Sequence, residues 1–166
     1  LMVRKFIEPR EALVLLLLDI SPSMYLREKM RIALGAASII ASSAHVQHMP
    51  LGLWTVGGSA NVELSPRSGE GHFHSVMDLL ADVLGQSEQS ELVEAHRIEW
   101  HHRKLERFLS RGSFLFVISD FIGNNDTLKS AMHHEAFTWY SIPVIVQDAL
   151  EYSFPIFPKY GAVAPL

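Results

Sequence analysis

Asp19 is followed at the second and fourth positions by hydroxyls, in the run Asp19-Ile-Ser-Pro-Ser-Met24. One carboxylate and two serine oxygens, Ser21 and Ser23, thus reach toward a common point from one short stretch. Hard divalent cations such as Mg²⁺ take oxygen ligands of this kind. A second acid, Asp120, ends the run Ser113-Phe-Leu-Phe-Val-Ile-Ser-Asp120. Two carboxylates brought close repel unless a cation or a shared proton lies between them. Asp19, Ser21, Ser23 and Asp120 are therefore the candidate metal ligands, provided the fold brings them together. A plainer reading also exists: an acid after a strand often caps a helix, and Ser-Pro-Ser is an ordinary turn.

The elements that must position these residues are two apolar strands. Glu11 to Ile20 carries a wall of aliphatic side chains that can be buried on both faces only as a central strand of a parallel sheet. Ser113 to Phe121 repeats the pattern. Both strands end in an acid, and open α/β sheets place their ligands at the carboxyl ends of strands. The two most apolar strands should be central neighbours, with Asp19 and Asp120 on one rim.

Between them, Tyr25 to His48 reads as a long helix with Met30, Ile32, Leu34, Ala37, Ile40 and Ala41 at helical spacing. Arg27, Lys29 and Arg31 near its start oppose the helix dipole, so Lys29 either has another duty or pairs with Glu28. Pro50 to Val56 is a strand, Gly57 to Ala60 a turn and Asn61 to Ser65 a short strand, together an antiparallel hairpin at the sheet edge. Ser65 to Gly71 reads as a loop and His72 to Leu84 as a helix. Gly85 to Ser90 is polar linker, Glu91 to Leu109 a charged helix, Asn125 to Glu135 a short helix and Phe137 to Gln147 a last strand ending at Asp148. A proline-rich tail from Phe154 to Leu166 should lie extended. Strands alternating with helices predict a doubly wound, mostly parallel α/β sheet with helices on both faces and one antiparallel edge strand.

The 166 residues read as a single domain, an excerpt of a longer protein. A hydrophobic content of 48% is too high for a disordered chain. A net charge of −4 opposes a nucleic-acid binder held by phosphate contacts. There are no cysteines, which excludes disulfides and thiolate metal sites. The apolar run from Ala12 to Leu18 is far shorter than the roughly 20 residues that span a bilayer. The chain is placed in the cytoplasm, with any tether to an inner membrane supplied by segments outside it.

Nine histidines suggest a transition-metal site. The pairs His72/His74, His101/His102 and His133/His134 are poorly placed for it, because a shared ion on a helix needs spacing i, i+4. Solvated helix faces account for them better. Trp100 in the charged helix could belong to a docking surface, although a half-buried Trp is the commoner case.

Asp19-Ile-Ser-Pro-Ser resembles the Asp-x-Ser-x-Ser metal-ion-dependent adhesion site of von Willebrand factor A domains, and Ser119-Asp120 resembles the late Asp of that site. The likeness extends to the bacterial branch named domain of unknown function fifty-eight. It is carried by Arg4-Lys-Phe with Arg10, Lys29, Pro66-Arg-Ser-Gly69 leading to His72, Val117-Ile-Ser-Asp-Phe121 and Asp148-Ala-Leu-Glu151. The resemblance implies a von Willebrand factor A or Rossmann-like fold, Mg²⁺ or another divalent cation as cofactor, and protein recognition through a partner carboxylate that completes the metal site. It also implies work with a MoxR-type AAA ATPase in protein assembly or maturation. One departure stands out: the expected loop Thr is absent from Ser65 to Ser75, where Ser68, Glu70 or Ser75 would have to replace it.

The leading expectation is therefore a non-enzymatic protein-interaction module. No histidine is placed by sequence to activate Ser21 or Ser23 as a nucleophile. A haloacid-dehalogenase-like phosphatase also begins with a strand ending in Asp, but needs an acid two residues on, where Ser21 stands. A metal-free, degenerate A domain that binds partners through its helices is the third reading.

Overall fold

A computed structural model of the chain describes residues 11–58, 61–87, 105, 107–122 and 139–148. Along them run β1 (Val14–Asp19), a 3₁₀ turn (Pro22–Tyr25), α1 (Lys29–Val46), β2 (Leu51–Val56), β3 (Glu63–Arg67), α2 (Glu70–Ser87), β4 (Phe114–Ser119) and β5 (Tyr140–Ile145). The sheet order is β3-β2-β1-β4-β5. β1 pairs in parallel with β2 and with β4, β4 pairs in parallel with β5, and only β3 runs antiparallel, on the edge beside β2. The two apolar strands are central neighbours, as their composition predicts.

The aliphatic wall of β1 divides between two cores because successive strand side chains point to opposite faces. Leu16 and Leu18 pack with Met30, Leu34, Val76 and Leu80 under the two helices. Leu15 and Leu17 pack on the other face with Trp54, Leu105, Leu109 and Leu115, where Phe108 meets Trp54 edge-on at 5.6 Å. Burial on both faces is what a doubly wound sheet requires.

α1 lies close to the sheet because its inner stripe is small: Ala33, Ala37, Ala41 and Ala44 are all buried. Lys29 falls on the same stripe, four residues before Ala33. Ile32, expected on the buried face, is 53% exposed. The helix also starts later than its hydrophobic spacing predicts. Arg27 adopts a left-handed φ of 58°, which no α-helix continues through, so the Pro22–Tyr25 turn is a separate element.

Two boundaries move in the hairpin region. β3 extends to Arg67, so Pro66 and Arg67 are strand rather than loop, and α2 begins at Glu70, two residues before the expected start. β5 occupies Tyr140–Ile145, the centre of the longer strand predicted there. The first ten residues, most of the charged helix, the short helix at Asn125 to Glu135 and the proline-rich tail lie outside the described residues. Among the described residues no helix is long and apolar enough to cross a membrane.

Candidate functional site

Asp19 is the last residue of β1, and Asp120 is the first residue beyond β4. Because the strands are parallel with Leu18 opposite Ile118, both acids reach one rim. The chain leaves β1 in a tight turn held by the Ser21 N–H, which donates to Asp19 Oδ1 at 2.8 Å. That turn carries both serines to the rim, where Ser21 Oγ and Ser23 Oγ lie 3.2 Å apart in a hydrogen bond. The structure thus gathers all four residues singled out from the sequence.

Several neighbours hold the acids in place. Ser119 Oγ donates to Asp19 Oδ2 at 2.6 Å and accepts from the Phe121 N–H at 3.0 Å. Met24, fully buried, offers its sulfur to the Asp120 N–H at 3.2 Å, a duty that links the methionine after the second serine to the second acid. Asp120 Oδ1 accepts from the Ile122 N–H at 3.0 Å. Its Oδ2 accepts from Lys29 Nζ at 2.8 Å, and the two side chains are 2% and 0% exposed. Lys29 therefore has its other duty, and Arg31 pairs with Glu28 at 3.2 Å. Arg27 reaches Asp148 beyond β5 at 3.3 Å, joining the first turn to the far strand across the same rim.

The electrostatics follow from this packing. Burial raises the pKa of Asp19 above its ordinary 3.8; hydrogen bonds from Ser119 and Ser21 oppose the rise, and the charge of Asp120 adds to it. Tyr25, in the same turn, is also raised, by burial and then by the Asp19 charge. Gly57 closes the rim from β2 with a φ of 84°, and a Cβ there would stand 2.9 Å from Asp19 Oδ1 and 3.1 Å from Ser21 Cβ. Arg27 and Phe121 bring φ values of 58° and 52° to the same neighbourhood. Such left-handed residues store strain that folds concentrate at functional sites.

Among the described residues no three His, Asp or Glu side chains cluster as a metal site. The donors here are instead one carboxylate and two hydroxyls. A Mg²⁺ ion with bonds of about 2.1 Å spans adjacent octahedral ligands at about 3.0 Å, close to the 3.2 Å between the two serine oxygens. In ligand type and hydroxyl spacing the set fits such an ion.

The residues considered as substitutes for the missing Thr do not reach this rim. Asp19 pairs with Val56, whereas Leu51 opposite Val14 marks the other end of the sheet, and Arg67 pairs with Leu51. Ser68 and Glu70 line a cavity at that far end with His45, Met49, Leu51 and Phe73. Ser75, in the second turn of α2, donates to the Gly71 carbonyl. His45 at the end of α1 stacks on Phe73 at 4.4 Å, so the two helices are antiparallel and α2 runs from the far end toward the Asp19 rim. The histidines described beside this cavity are equally remote, and His72 bonds the Leu51 carbonyl at 2.8 Å. His101, His102, His133, His134 and Trp100 lie outside the described residues.

The profile of the family described as "Protein of unknown function DUF58" matches residues 1–164. Among solved structures, the conserved hypothetical protein BatB from Bacteroides thetaiotaomicron has a TM-score of 0.51 at 16% identity, over 81% of this chain and 66% of BatB. This chain thus spans just under two thirds of that relative. The proximal thread matrix protein 1 of the mussel byssus gives 0.50 at 10% identity, over 81% of this chain and 37% of that one. The SpRpn10 VWA domain gives 0.41 at 10%, over 84% and 91%. No curated protein is similar enough to this chain to count as a match. At these identities the structures speak to the fold alone.

Proposed function

Because the chain belongs to the DUF58 family and folds as a von Willebrand factor A-like sheet, we propose that it is a non-enzymatic protein-interaction module working through an adhesion-type metal site. Asp19, Ser21 and Ser23 would hold a divalent cation, with Asp120 supplying charge from the neighbouring strand. The cation, when bound, supplies a Lewis-acidic position that a partner's carboxylate can complete. The observation that carries this reading is the pair of serine hydroxyls, 3.2 Å apart, beside the buried Asp19 carboxylate. The resemblance further suggests a MoxR-type ATPase as partner, in protein assembly or maturation.

Catalysis finds less support. The described histidines sit at the end of α1 (His45), just beyond it (His48) or in the first half of α2 (His72 and His74), away from the two serines. A phosphatase of the haloacid-dehalogenase type lacks its second acid at Ser21. The metal-free reading draws on one observation, that Lys29 already neutralises Asp120. Thermal unfolding with and without Mg²⁺ or Mn²⁺ separates the two, because a ligand of the native state raises the melting temperature. A rise in the wild type that Asp19→Ala abolishes supports the metal site; no rise at millimolar metal in either protein sinks it.

A further inference from the structure

We infer that Lys29 is a resident cation of the rim, which holds Asp120 away from the metal and keeps the Asp19–Ser21–Ser23 site weak and electropositive. The inference rests on the metal reading above. Lys29 Nζ lies 2.8 Å from Asp120 Oδ2, with both side chains essentially sealed from solvent. The Ile122 N–H occupies Oδ1 and the Met24 sulfur binds the Asp120 N–H, so neither the carboxylate nor its backbone is loose. Asp19 differs, since its oxygens take hydrogen bonds from the neutral Ser119 hydroxyl and Ser21 N–H. The two acids of the rim therefore have different partners: one faces a fixed ammonium and the other a serine hydroxyl and a backbone N–H.

Core packing alone does not explain this arrangement. A buried ion pair is on average no better for stability than apolar residues of the same volume. What Lys29 adds is charge. Asp19, Asp120 and a divalent ion sum to zero, and Lys29 adds one positive charge beside them. That charge lowers the affinity for the ion and favours an anion at the loaded site. An acidic side chain of a partner protein supplies that anion.

Mn²⁺ affinity, measured by titration with paramagnetic resonance detection, tests the inference in wild type, Asp19→Ala, Lys29→Met and the double variant Lys29→Met/Asp120→Asn. Lys29→Met should bind Mn²⁺ about tenfold more tightly or better, since a like charge beside the ion is gone. The double variant, neutral at the pair, should return to within about threefold of wild type and keeps the site testable even where Lys29→Met does not fold. Unchanged or weaker binding in Lys29→Met overturns the inference, as does a double variant that binds far more weakly than wild type, which would make Asp120 a direct ligand. Mn²⁺ binding by wild type that Asp19→Ala removes keeps the metal reading whatever Lys29 does. Binding by Lys29→Met but not by wild type overturns the metal reading of the native rim and, with it, the loaded site that the inference describes. Binding by none of the proteins overturns both.

Discussion

Replacing Lys29 with Met in the metal-free protein removes one charge from a buried pair and leaves its partner in place. At 2.8 Å and an effective dielectric constant of about 20, the attraction between the two groups is about 6 kcal/mol. Withdrawing each ion from water costs several kcal/mol, so the intact pair adds little net stability. Removing one partner is another matter, because the isolated carboxylate of Asp120 has already lost its water. The expected loss is about 3–5 kcal/mol. For a chain of this size each kcal/mol moves the melting temperature by about 2–4 °C, which gives a fall of roughly 6–20 °C. The double variant Lys29→Met/Asp120→Asn should recover most of it. Urea unfolding followed by circular dichroism, in the presence of a chelator, gives both numbers. A loss below about 1 kcal/mol in Lys29→Met, or single losses that simply add in the double variant, would refute a sealed ion pair.

Three further perturbations follow from the geometry. Burial raises the Asp19 pKa above 3.8, so the folded state keeps this proton longer than the unfolded chain does. The stabilising share of Asp19 is then full below 3.8 and lost as pH rises through the folded value. Asp19→Asn should remove that share of the pH dependence, which a series of unfolding curves from pH 3.5 to pH 8, roughly the range over which carboxylates titrate, will detect as a changed slope. Ser119→Ala deletes the 2.6 Å bond to Asp19 Oδ2 and should cost about 1.5–3 kcal/mol, the usual range for a hydrogen bond to a charged group, by the same urea assay. Gly57→Ala adds a methyl 2.9 Å from Asp19 Oδ1 at a φ of 84°. It should cost at least about 1–2 kcal/mol from the left-handed backbone alone, and calorimetric Mn²⁺ titration should show weaker binding than wild type.

The central strands were legible because Leu13 to Leu18 and Phe114 to Ile118 cannot be solvated on either face, and a parallel sheet buries both. Their neighbourhood then followed, and with it the meeting of Asp19 and Asp120. The loop before α2 offers no substitute for the Thr at this rim, for a reason of direction. β3 runs back toward the far end, so Ser68 and Glu70, although just before a helix, start α2 at the wrong side of the sheet. The antiparallel hairpin already sets that direction; what the sequence left open was the length of β3, because Pro66 reads as loop. Proline is tolerated there because the edge strand has one unpaired side. Lys29 left a fainter trace. Its cationic side chain opposed the helix dipole, and its position four residues before Ala33 put it on the buried stripe. Only the depth of the fold shows that its partner is 91 residues away. Ser119 and Met24 were visible as parts of motifs, but their bonds to Asp19 and to the Asp120 backbone depend on tertiary packing.

The claim that this rim is an adhesion-type metal site is tested most directly by diffraction from crystals soaked in Mn²⁺, collected at the manganese edge. One anomalous peak is expected, bounded by the Asp19 carboxylate and the Ser21 and Ser23 hydroxyls, with Lys29 still on Asp120. A peak elsewhere, or a rim without one at saturating Mn²⁺ in both wild type and Lys29→Met, would contradict it.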